Sequence, residues 1–364
     1  MALKLQYLPY NLKFKFDAGT SRGVLREKEV WYIKVFDEDH PKIFGLGEVA
    51  TIERLSLDYD ISFEEELEKL SAAIKEKRLP GTEEEVYELV QELVKVEHPS
   101  IAFALETALL DLMHGGRRLI FENNFYQGKS RIPINGLIWM GEKDFMKEQI
   151  DAKLRSGFTC LKVKIAALDF QDELELLRYI RSNYPKEKLT LRVDANGGFR
   201  TEDCMLRMKA LEEFDLHSIE QPIMPKQSEA MSLLCKKTNI PIGLDEELIG
   251  ISDIHEKEQL LNDIQPAYII LKPGLIGGFR STKEWIELAE SKDIGWWITS
   301  ALESNVGLNV ICQFTAKYEP ADHQGLGTGQ LFENNIESPL SIAGEYVSYS
   351  LKGSWDLTRL EFSG

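Results

Sequence analysis

The sequence lacks the long apolar segments that anchor a chain in a membrane. No part of its 364 residues approaches the roughly 20 consecutive apolar residues that a membrane-spanning helix requires. Residues 1–16 alternate Leu, Tyr and Phe with Lys, which is unlike the unbroken apolar core and small-residue cleavage site of a signal peptide. We therefore expect a cytoplasmic protein with no membrane partner.

Cysteine is also scarce, and its spacing excludes a disulfide framework. The four cysteines are widely separated, and no C-x-x-C pair occurs. They are Cys160, Cys204, Cys235 and Cys312. We expect them to be reduced and buried as small apolar side chains.

A clustered basic face is missing as well. The net charge is −17, and a chain of this charge repels polyanions, so a nucleic-acid partner is excluded. A small anionic substrate remains compatible with the composition if local cations or a metal reverse the sign inside a site. The sequence leaves the monomeric and homo-oligomeric states equally open.

The first 125 residues predict strands followed by helices. Apolar and polar positions alternate over residues 3–16 and 29–36, and residues 45–48 continue them as a third strand. A polar, glycine-bounded loop separates the first two strands. Apolar residues then recur at helical spacing in the segments 62–77, 82–96 and 99–114. Residues 1–125 are thus predicted to form an α+β capping domain.

From Ile132 onward, short apolar runs alternate with amphipathic segments, which indicates parallel βαβ units. The candidate strands are residues 132–139, 159–165, 189–193, 218–221, 240–244, 268–271 and 295–299, with an eighth near 325–329. We predict a TIM-like (β/α)7β barrel over residues 126–332. An open doubly wound sheet is the weaker alternative, because no G-x-G-x-x-G motif opens a helix after a strand. Residues 333–364 are predicted to return to the capping domain.

Ionisable residues end the candidate barrel strands at a nearly constant spacing. One follows about every 25 to 30 residues, which matches the length of one βα unit in a barrel of roughly 250 residues. The residues are Lys164, Asp194, Glu220, Asp245 and Lys272. Equivalent positions on successive strands lie at one end of a barrel, so we predict that these side chains meet at its C-terminal mouth.

Side-chain alternation supports this prediction. Successive side chains of a strand point to opposite faces, so Lys162 shares a face with Lys164, and Arg192 shares one with Asp194. Solvent exposure on an edge strand explains one such pair but not the recurrence. Lys164, nearer the mouth, is the predicted catalytic residue, and Lys162 is a supporting cation that keeps Lys164 unprotonated.

Three carboxylates facing one another predict a metal site. They raise one another's pKa unless a cation lies between them, and three oxygen ligands suit Mg²⁺, with Mn²⁺ as a substitute. Pairing of each carboxylate with a neighbouring lysine or arginine is the alternative. Lysines on both sides of a metal favour removal of the proton next to a substrate carboxylate by a neutral amine. A Schiff-base aldolase using Lys164 or Lys272 and a non-catalytic binding barrel account for fewer of the convergent charges.

Five stretches carry a resemblance to a known family: Lys162-x-Lys164, Arg192-Val-Asp194-Ala-Asn196, Ile219-Glu220-Gln221-Pro222, Leu244-Asp245-Glu246 and Lys272-Pro273-Gly274. Together they resemble the enolase superfamily, in particular its muconate lactonizing subgroup, over essentially the full chain. The stretch from Thr299 to Gly307 is most similar to the o-succinylbenzoate synthase family. The resemblance implies Mg²⁺-dependent syn dehydration of a succinyl-hydroxy-cyclohexadiene carboxylate in menaquinone biosynthesis.

The resemblance also implies a role for each site residue. Lys164 abstracts the α-proton and then protonates the leaving hydroxyl, while Lys272 stabilises the enediolate as a cation. The implied metal ligands are Asp194, Glu220 and Asp245. The substrate-binding candidates are Lys162, Arg192, Asn196, Ser300 and Ser21. N-succinylamino acid racemase activity remains the main alternative, whereas dipeptide epimerases carry an Asp-x-Asp pair that residues 322–329 lack.

Overall fold

A computed structural model describes residues 2–20 and 23–362. The N-terminal part is an antiparallel sheet in the order β1-β2-β3 covered by three helices. The elements are β1 (Leu3–Thr20), β2 (Gly23–Asp37), β3 (Phe44–Ala50), α1 (Phe63–Ile74), α2 (Glu83–Leu93) and α3 (Pro99–Met113). We call this part of the chain the cap.

The β1–β2 hairpin is longer than predicted. Residues 17–20 and Gly23, expected in a loop over 17–23, continue the two strands together with residues 24–28, beyond an irregularity between Lys13 and Ala18. Near the tip, Gly19 forms an antiparallel bridge with Met140 of the barrel. A Cβ at Gly19 would collide with the Met140 carbonyl, so glycine permits this contact. The sequence pattern missed the extension because polar residues at the tip pair through their backbones.

The cap helices begin where the sequence supplies capping side chains. The Ser62 hydroxyl accepts from the Glu65 N–H at 3.4 Å, and the Thr82 hydroxyl accepts from the Glu85 N–H at 3.2 Å. Each of these two helices carries three glutamates in its first turn, where the helix dipole favours negative charge. The apolar α3 packs against β3, and Gly45 allows the close approach because a Cβ there would strike the Ala108 carbonyl.

The barrel follows as seven parallel strands hydrogen-bonded in chain order within the described residues. They are β5 (Gly136–Ile138), β6 (Cys160–Lys164), β7 (Thr190–Asp194), β8 (Ser218–Glu220), β9 (Ile242–Leu244), β10 (Tyr268–Leu271) and β11 (Gly295–Ile298). The helices between and after them are α4 (Lys143–Arg155), α5 (Phe170–Asn183), α6 (Thr201–Leu211), α7 (Ser228–Lys237), α8 (Ile254–Ile264), α9 (Gly278–Ser291) and α10 (Asn305–Ala316). The predicted TIM-like barrel with an α+β cap is confirmed.

The two ends of the predicted barrel differ from the expectation. The first run, 132–139, is divided into β4 (Arg131–Pro133), which leaves the barrel sheet, and β5. The predicted eighth strand is reduced to two bridging residues, because Gln324 pairs with Ile134 and Gly325 pairs with Thr299. These parallel bridges close the barrel, and the glycine-rich residues that follow form a 3₁₀ turn at Gly327–Gln330.

The tail forms a hairpin of β12 (Leu340–Ala343) and β13 (Tyr346–Tyr349). β13 pairs antiparallel with β4 and not with the sheet of the cap. Residues beside the hairpin do contact the cap, since the Lys15 N–H donates to the Leu331 carbonyl at 2.9 Å and the side chain of Leu360 joins an apolar cluster with cap residues. The division at residues 125 and 332 stays a prediction.

Two composition-based expectations can be compared with the fold. Cys160, Cys204 and Cys312 are buried and Cys235 is half-buried, all four as free thiols. Among the helices of the described residues, none combines the length and the apolar character required to cross a membrane.

Candidate active site

Neighbouring barrel strands bring the predicted ionisable residues together at the mouth. The parallel register places Lys164 beside Asp194 and Asp194 beside Glu220. Asp245 follows β9 and Lys272 follows β10, each one residue beyond the strand end. The strands therefore deliver six side chains, which we call the mouth cluster: Lys162, Lys164, Asp194, Glu220, Asp245 and Lys272.

Lys162 lies between two carboxylates. Its Nζ is 3.0 Å from Asp194 Oδ2 and also donates to Glu220 Oε2. Lys164 Nζ lies 3.4 Å from the same oxygen of Asp194 and donates to Asn196 Oδ1 at 2.7 Å. The two lysines of β6 thus share Asp194, but only Lys164 also contacts an amide.

On the opposite side of the barrel, Lys272 donates to Asp245 Oδ2. Burial lowers the pKa of Lys272, but the negative charges of Asp245, Glu246 and Glu220 outweigh it and hold that pKa above its usual range. Burial likewise opposes ionisation of Lys162, yet Asp194 and Glu220 raise its pKa. Lys162 and Lys272 are therefore ammonium ions at neutral pH.

The pKa values of Asp194 and Glu220, two carboxylates of the mouth cluster, are shifted in opposite directions. Burial acts to raise the pKa of Asp194, but the ammonium groups of Lys162, Lys164 and Lys272 hold it below its ordinary value. For Glu220, burial and the nearby charge of Asp194 dominate, and its pKa lies well above the usual range. Lys162 acts in the opposite direction, and a further positive charge beside Glu220 would lower its pKa more.

The three carboxylates fit a magnesium site in ligand type. Asp194, Glu220 and Asp245 are almost fully buried and supply hard oxygen atoms. Glu220 Oε1 is buried without a hydrogen-bond partner among the described residues, which leaves one oxygen available to a ligand. Within residues 2–20 and 23–362, no three acidic, histidine or cysteine side chains are grouped closely enough to enclose an ion. Lysine ammonium groups lie beside the carboxylates instead.

Asn196 links Lys164 to a second acidic residue. Its backbone N–H donates to Asp194 Oδ1 at 3.0 Å, and its side-chain NH₂ donates to Glu246 Oε1 at 3.1 Å. Its carbonyl oxygen accepts from Lys164, so the amide is oriented by its partners. A positive φ of 45° allows Asn196 to turn back toward the mouth. The arrangement fixes the direction of the Lys164 amine.

A cavity of about 360 Å³ opens beside the mouth cluster. Its charged wall contains Lys162, Lys164, Asp194 and Lys272, together with Asn196. The remaining wall is largely apolar and comes partly from the cap, with contributions from Phe16, Leu25, Ile52, Leu55, Leu137, Trp139, Trp297, Leu302 and Leu331. Such a cavity suits a carboxylate attached to an apolar ring.

The remaining predicted binding residues lie at different distances from this cavity. Ser300 lines it and shares a 2.7 Å hydrogen bond with the Thr328 hydroxyl. Arg192 is buried below, donating to the His323 carbonyl at 2.8 Å with its guanidinium 4.2 Å from the Trp297 ring centre, and it is not a lining residue. Ser21 lies outside the described residues.

Sequence reasoning missed the aromatic part of the wall. Trp297 is buried and lines the cavity, although no binding role was predicted for it from the sequence. Its position two residues before Thr299 on β11 places both side chains on the inner face, which is the signal that could have identified it. Phe16 and Trp139 were not predictable in this way, because their contact at 5.9 Å joins the cap to the barrel.

Comparisons with known proteins agree with this geometry. The model of the "Enolase C-terminal domain-like" family matches residues 145–351. An o-succinylbenzoate synthase of Desulfotalea psychrophila is 45% identical over 96% of this chain and 99% of that protein. An N-succinylamino acid racemase of Thermus thermophilus is 28% identical over 84% of this chain and 79% of its own length.

Known structures extend the comparison. The crystal structure of MenC from Desulfotalea psychrophila superposes with a TM-score of 0.84 at 40% identity, covering 96% of this chain and all of that one. The muconate lactonizing enzyme of Pseudomonas putida gives a TM-score of 0.77 at 18% identity over 99% and 98% of the two chains, which shows a common fold. The chain therefore belongs to the enolase superfamily and, within it, to the o-succinylbenzoate synthase family of dehydratases.

Proposed function

We propose that the chain carries out a Mg²⁺-dependent syn dehydration of 2-succinyl-6-hydroxy-2,4-cyclohexadiene-1-carboxylate to 2-succinylbenzoate, a step of menaquinone biosynthesis. The observation that carries the proposal is the pair Lys164 and Lys272, which border one cavity from strands on different sides of three buried carboxylates. The 45% identity to an o-succinylbenzoate synthase over nearly the whole chain supports the same reaction.

The metal would be held by Asp194, Glu220 and Asp245. A bound Mg²⁺ supplies positive charge that stabilises the substrate carboxylate as negative charge develops on its oxygens. Mn²⁺ is the expected substitute, since it also prefers carboxylate and water ligands.

Lys164 is the proposed proton carrier. As a neutral amine it takes the proton from C1, and the electron pair of that C–H bond moves toward the carboxylate. The resulting ammonium then gives its proton to the hydroxyl on C6, the C–O bond breaks, and water leaves with the bonding electrons as the ring becomes aromatic. The Asn196 amide, 2.7 Å from Lys164 Nζ, directs the amine toward the cavity.

Lys272 is proposed to remain a cation throughout the reaction. The surrounding acidic residues raise its pKa, so it keeps its charge while the substrate carboxylate becomes more negative. Lys162 is proposed to remain a cation as well, because Asp194 and Glu220 raise its pKa. Both lysines line the cavity; Lys162 is held between Asp194 and Glu220, and Lys272 is held by Asp245.

The substrate contacts are assigned by position in the cavity. Ser300 lines the wall and is proposed to donate to a substrate oxygen, as is Asn196. Arg192 does not reach the wall, so we propose that it supports Trp297 instead of touching the substrate. The apolar side chains from the cap would cover the ring. A contribution from Ser21 remains a prediction.

A cytoplasmic location is part of the proposal. It is supported by the free state of the four cysteines, three of which are buried at positions where no disulfide partner lies.

A direct test follows the formation of the aromatic product. Purified protein with Mg²⁺ is given the cyclohexadiene acid, and the absorbance of 2-succinylbenzoate is recorded. We expect multiple turnovers, and a rate equal to the protein-free background would contradict the proposal.

Racemisation of N-succinylamino acids is a second candidate, because two lysines bordering one cavity can exchange a proton from either face.

A further inference from the structure

A buried lysine of the cap contacts the segment that follows β11. Lys28 on β2 is 7% exposed, and its Nζ donates to the Leu302 carbonyl at 2.9 Å and also to the Ala301 carbonyl. Both carbonyls lie between β11 and α10, far along the chain from β2. A lysine this deeply buried needs partners for its ammonium, and these two carbonyls provide them.

The segment that Lys28 contacts forms part of the cavity wall. Ser300 and Leu302 both line the cavity. The Ser300 hydroxyl accepts from the Leu302 N–H at 3.2 Å, so the two residues form one tight turn. Leu302 has a φ of 62°, a left-handed conformation that is unfavourable for a leucine and persists only where neighbours enforce it. Lys28 is one of those neighbours.

Two carboxylates accompany the ammonium of Lys28, and we call Lys28, Glu48 and Glu303 the cap cluster. Glu48 on β3 accepts from the Ser304 N–H at 2.7 Å, the Ser304 hydroxyl at 2.6 Å and the Gly307 N–H at 2.8 Å, and thereby caps α10. Neither oxygen of Glu303 has a hydrogen-bond partner among the described residues. Both acids lie near enough to Lys28 to influence its charge.

The cap cluster is separated from the chemistry by its position. None of its three side chains lines the cavity, and none is hydrogen-bonded to a member of the mouth cluster in the described structure. Its bonds go to the backbone on both sides of Glu303. An effect of Lys28 on the reaction must therefore pass through the turn at residues 300–302.

We propose that Lys28 is a positioning residue: from the cap, it holds the carbonyls of Ala301 and Leu302 so that Ser300 and Leu302 face the substrate. The inference rests on the proposed function, because it assigns the cavity to the cyclohexadiene acid. Lys28 sets the affinity for the substrate and leaves the proton-transfer step intact, since Lys164 and Lys272 are delivered by other strands. The cap thus contributes to specificity through a residue that never touches the ligand.

The first test replaces the ammonium by an apolar group of similar length. In Lys28→Met, the two carbonyls lose their donor, and we expect the KM for the cyclohexadiene acid to rise about 10-fold while kcat stays within about 2-fold. The Kd of 2-succinylbenzoate, measured by calorimetry, should weaken by the same factor. Binding of Mg²⁺ alone should be unchanged, because the mouth cluster is intact.

A matched control separates positioning from general destabilisation. Lys257 is a fully buried lysine of α8 that donates to Ser281 Oγ at 2.7 Å and is 2.7 Å from Glu284. Lys257→Met should lower the melting temperature and leave KM at the wild-type value. An equal rise of KM in both variants would overturn the proposal, as would an unchanged KM in folded Lys28→Met.

A second variant keeps the test decisive if Lys28→Met does not fold. Lys28→Gln retains an N–H donor at shorter reach, and we expect KM to rise about 3-fold with kcat unchanged. A wild-type KM in Lys28→Gln would then count against the proposal. Failure of the wild-type protein to turn over the cyclohexadiene acid would instead contradict the proposed function, so the two failures are distinguishable.

Discussion

Two clusters of buried lysines and carboxylates lie in this molecule, and they are built differently. In the mouth cluster, Lys162 and Lys272 contact carboxylates directly, and neighbouring negative charge raises their pKa. In the cap cluster, Lys28 is bonded to backbone carbonyls, and burial lowers its pKa to about 8 despite the nearby Glu303 and Glu48. The ammonium groups of Lys162 and Lys272 are therefore stabilised by neighbouring carboxylates, whereas the ammonium of Lys28 is destabilised by burial.

The difference follows from what each cluster contacts. The mouth cluster borders the cavity, where fixed positive charge can stabilise negative charge that develops on a substrate. The cap cluster is closed off between the cap and the backbone before α10, where its bonds fix a conformation. A buried charge thus indicates chemistry only when it faces a space that a ligand can enter.

Removal of divalent metal should affect the mouth cluster most. After exhaustive dialysis against EDTA, we expect dehydration to fall to the background rate, because the substrate carboxylate loses the charge that stabilises its anionic form. Added Mg²⁺ or Mn²⁺ should restore the rate, and EDTA saturated beforehand with Mg²⁺ is the control. Full activity without metal would favour Schiff-base chemistry and contradict the proposed metal-dependent reaction.

Replacing the proton carrier should be nearly as severe. Lys164→Ala removes the amine that takes and returns the proton, and we expect kcat to fall by about 10⁴-fold. Circular dichroism and the melting curve should show an intact fold. Substantial residual dehydration in this variant would mean that another group transfers the proton.

Removing the hydrogen-bond acceptor of the Lys164 amine should have an intermediate effect on kcat. Asn196→Ala removes the acceptor 2.7 Å from Lys164 Nζ, and we expect kcat to fall by about 10- to 100-fold, as is typical when a partner of an active-site ligand is lost. Asn239→Ala, at an exposed asparagine, is the control and should match the wild type. A wild-type kcat in Asn196→Ala would show that Lys164 is oriented without the amide.

The smallest effect concerns stability in the cap cluster. Burial raises the pKa of Glu303 to about 7, and Glu48 adds to this while Lys28 opposes it, against an ordinary value of 4.5. A raised carboxyl pKa contributes stability that is complete below pH 4.5 and is lost as the pH rises through 7. Glu303→Gln has no titrating carboxyl at this position and does not lose this stability. The free energy of unfolding of the variant, relative to that of the wild type, should therefore rise by about 1 kcal/mol or more between pH 5 and pH 7.5.

Urea denaturation at the two pH values checks this prediction. Glu187→Gln, at an exposed glutamate, should follow the wild-type pH dependence. Lys28 affects the pH dependence of stability at higher pH, because its pKa is about 8 in the folded protein and its ordinary value is 10.5. A Glu303→Gln profile parallel to that of the wild type would show that Glu303 is charged in the folded protein across this range.

The mouth cluster was predictable from the sequence because the βα unit of a barrel repeats along the chain. Constant spacing and alternation of side chains are local properties, so Lys164, Asp194 and Lys272 could be assigned to one end of the barrel before any contact was known. The eighth strand was expected near residues 325–329, but its reduction to bridges at Gln324 and Gly325 was not predicted, because this glycine-rich stretch lacks the apolar run that marks a full strand.

The cap cluster was not predictable for a different reason. Lys28 precedes the segment 29–36 that the sequence pattern predicts as the second strand, so its position on the buried face with Val30 and Tyr32 was not anticipated. Its burial depends on the approach of a segment 273 or more residues away, which no local pattern encodes. The same limit applies to the cavity wall, where Phe16 and Leu25 of the cap meet Leu302 and Leu331 of the barrel side.

The most direct test of the central claim offers purified protein the cyclohexadiene acid and an N-succinylamino acid side by side, with and without Mg²⁺. We predict that kcat/KM for dehydration exceeds that for racemisation and that both rates vanish without metal, because one mouth cluster would serve both proton transfers. Dominant racemisation would contradict the assigned reaction while preserving the lysine pair. Dehydration that persists after metal removal would contradict the account of the mouth cluster itself.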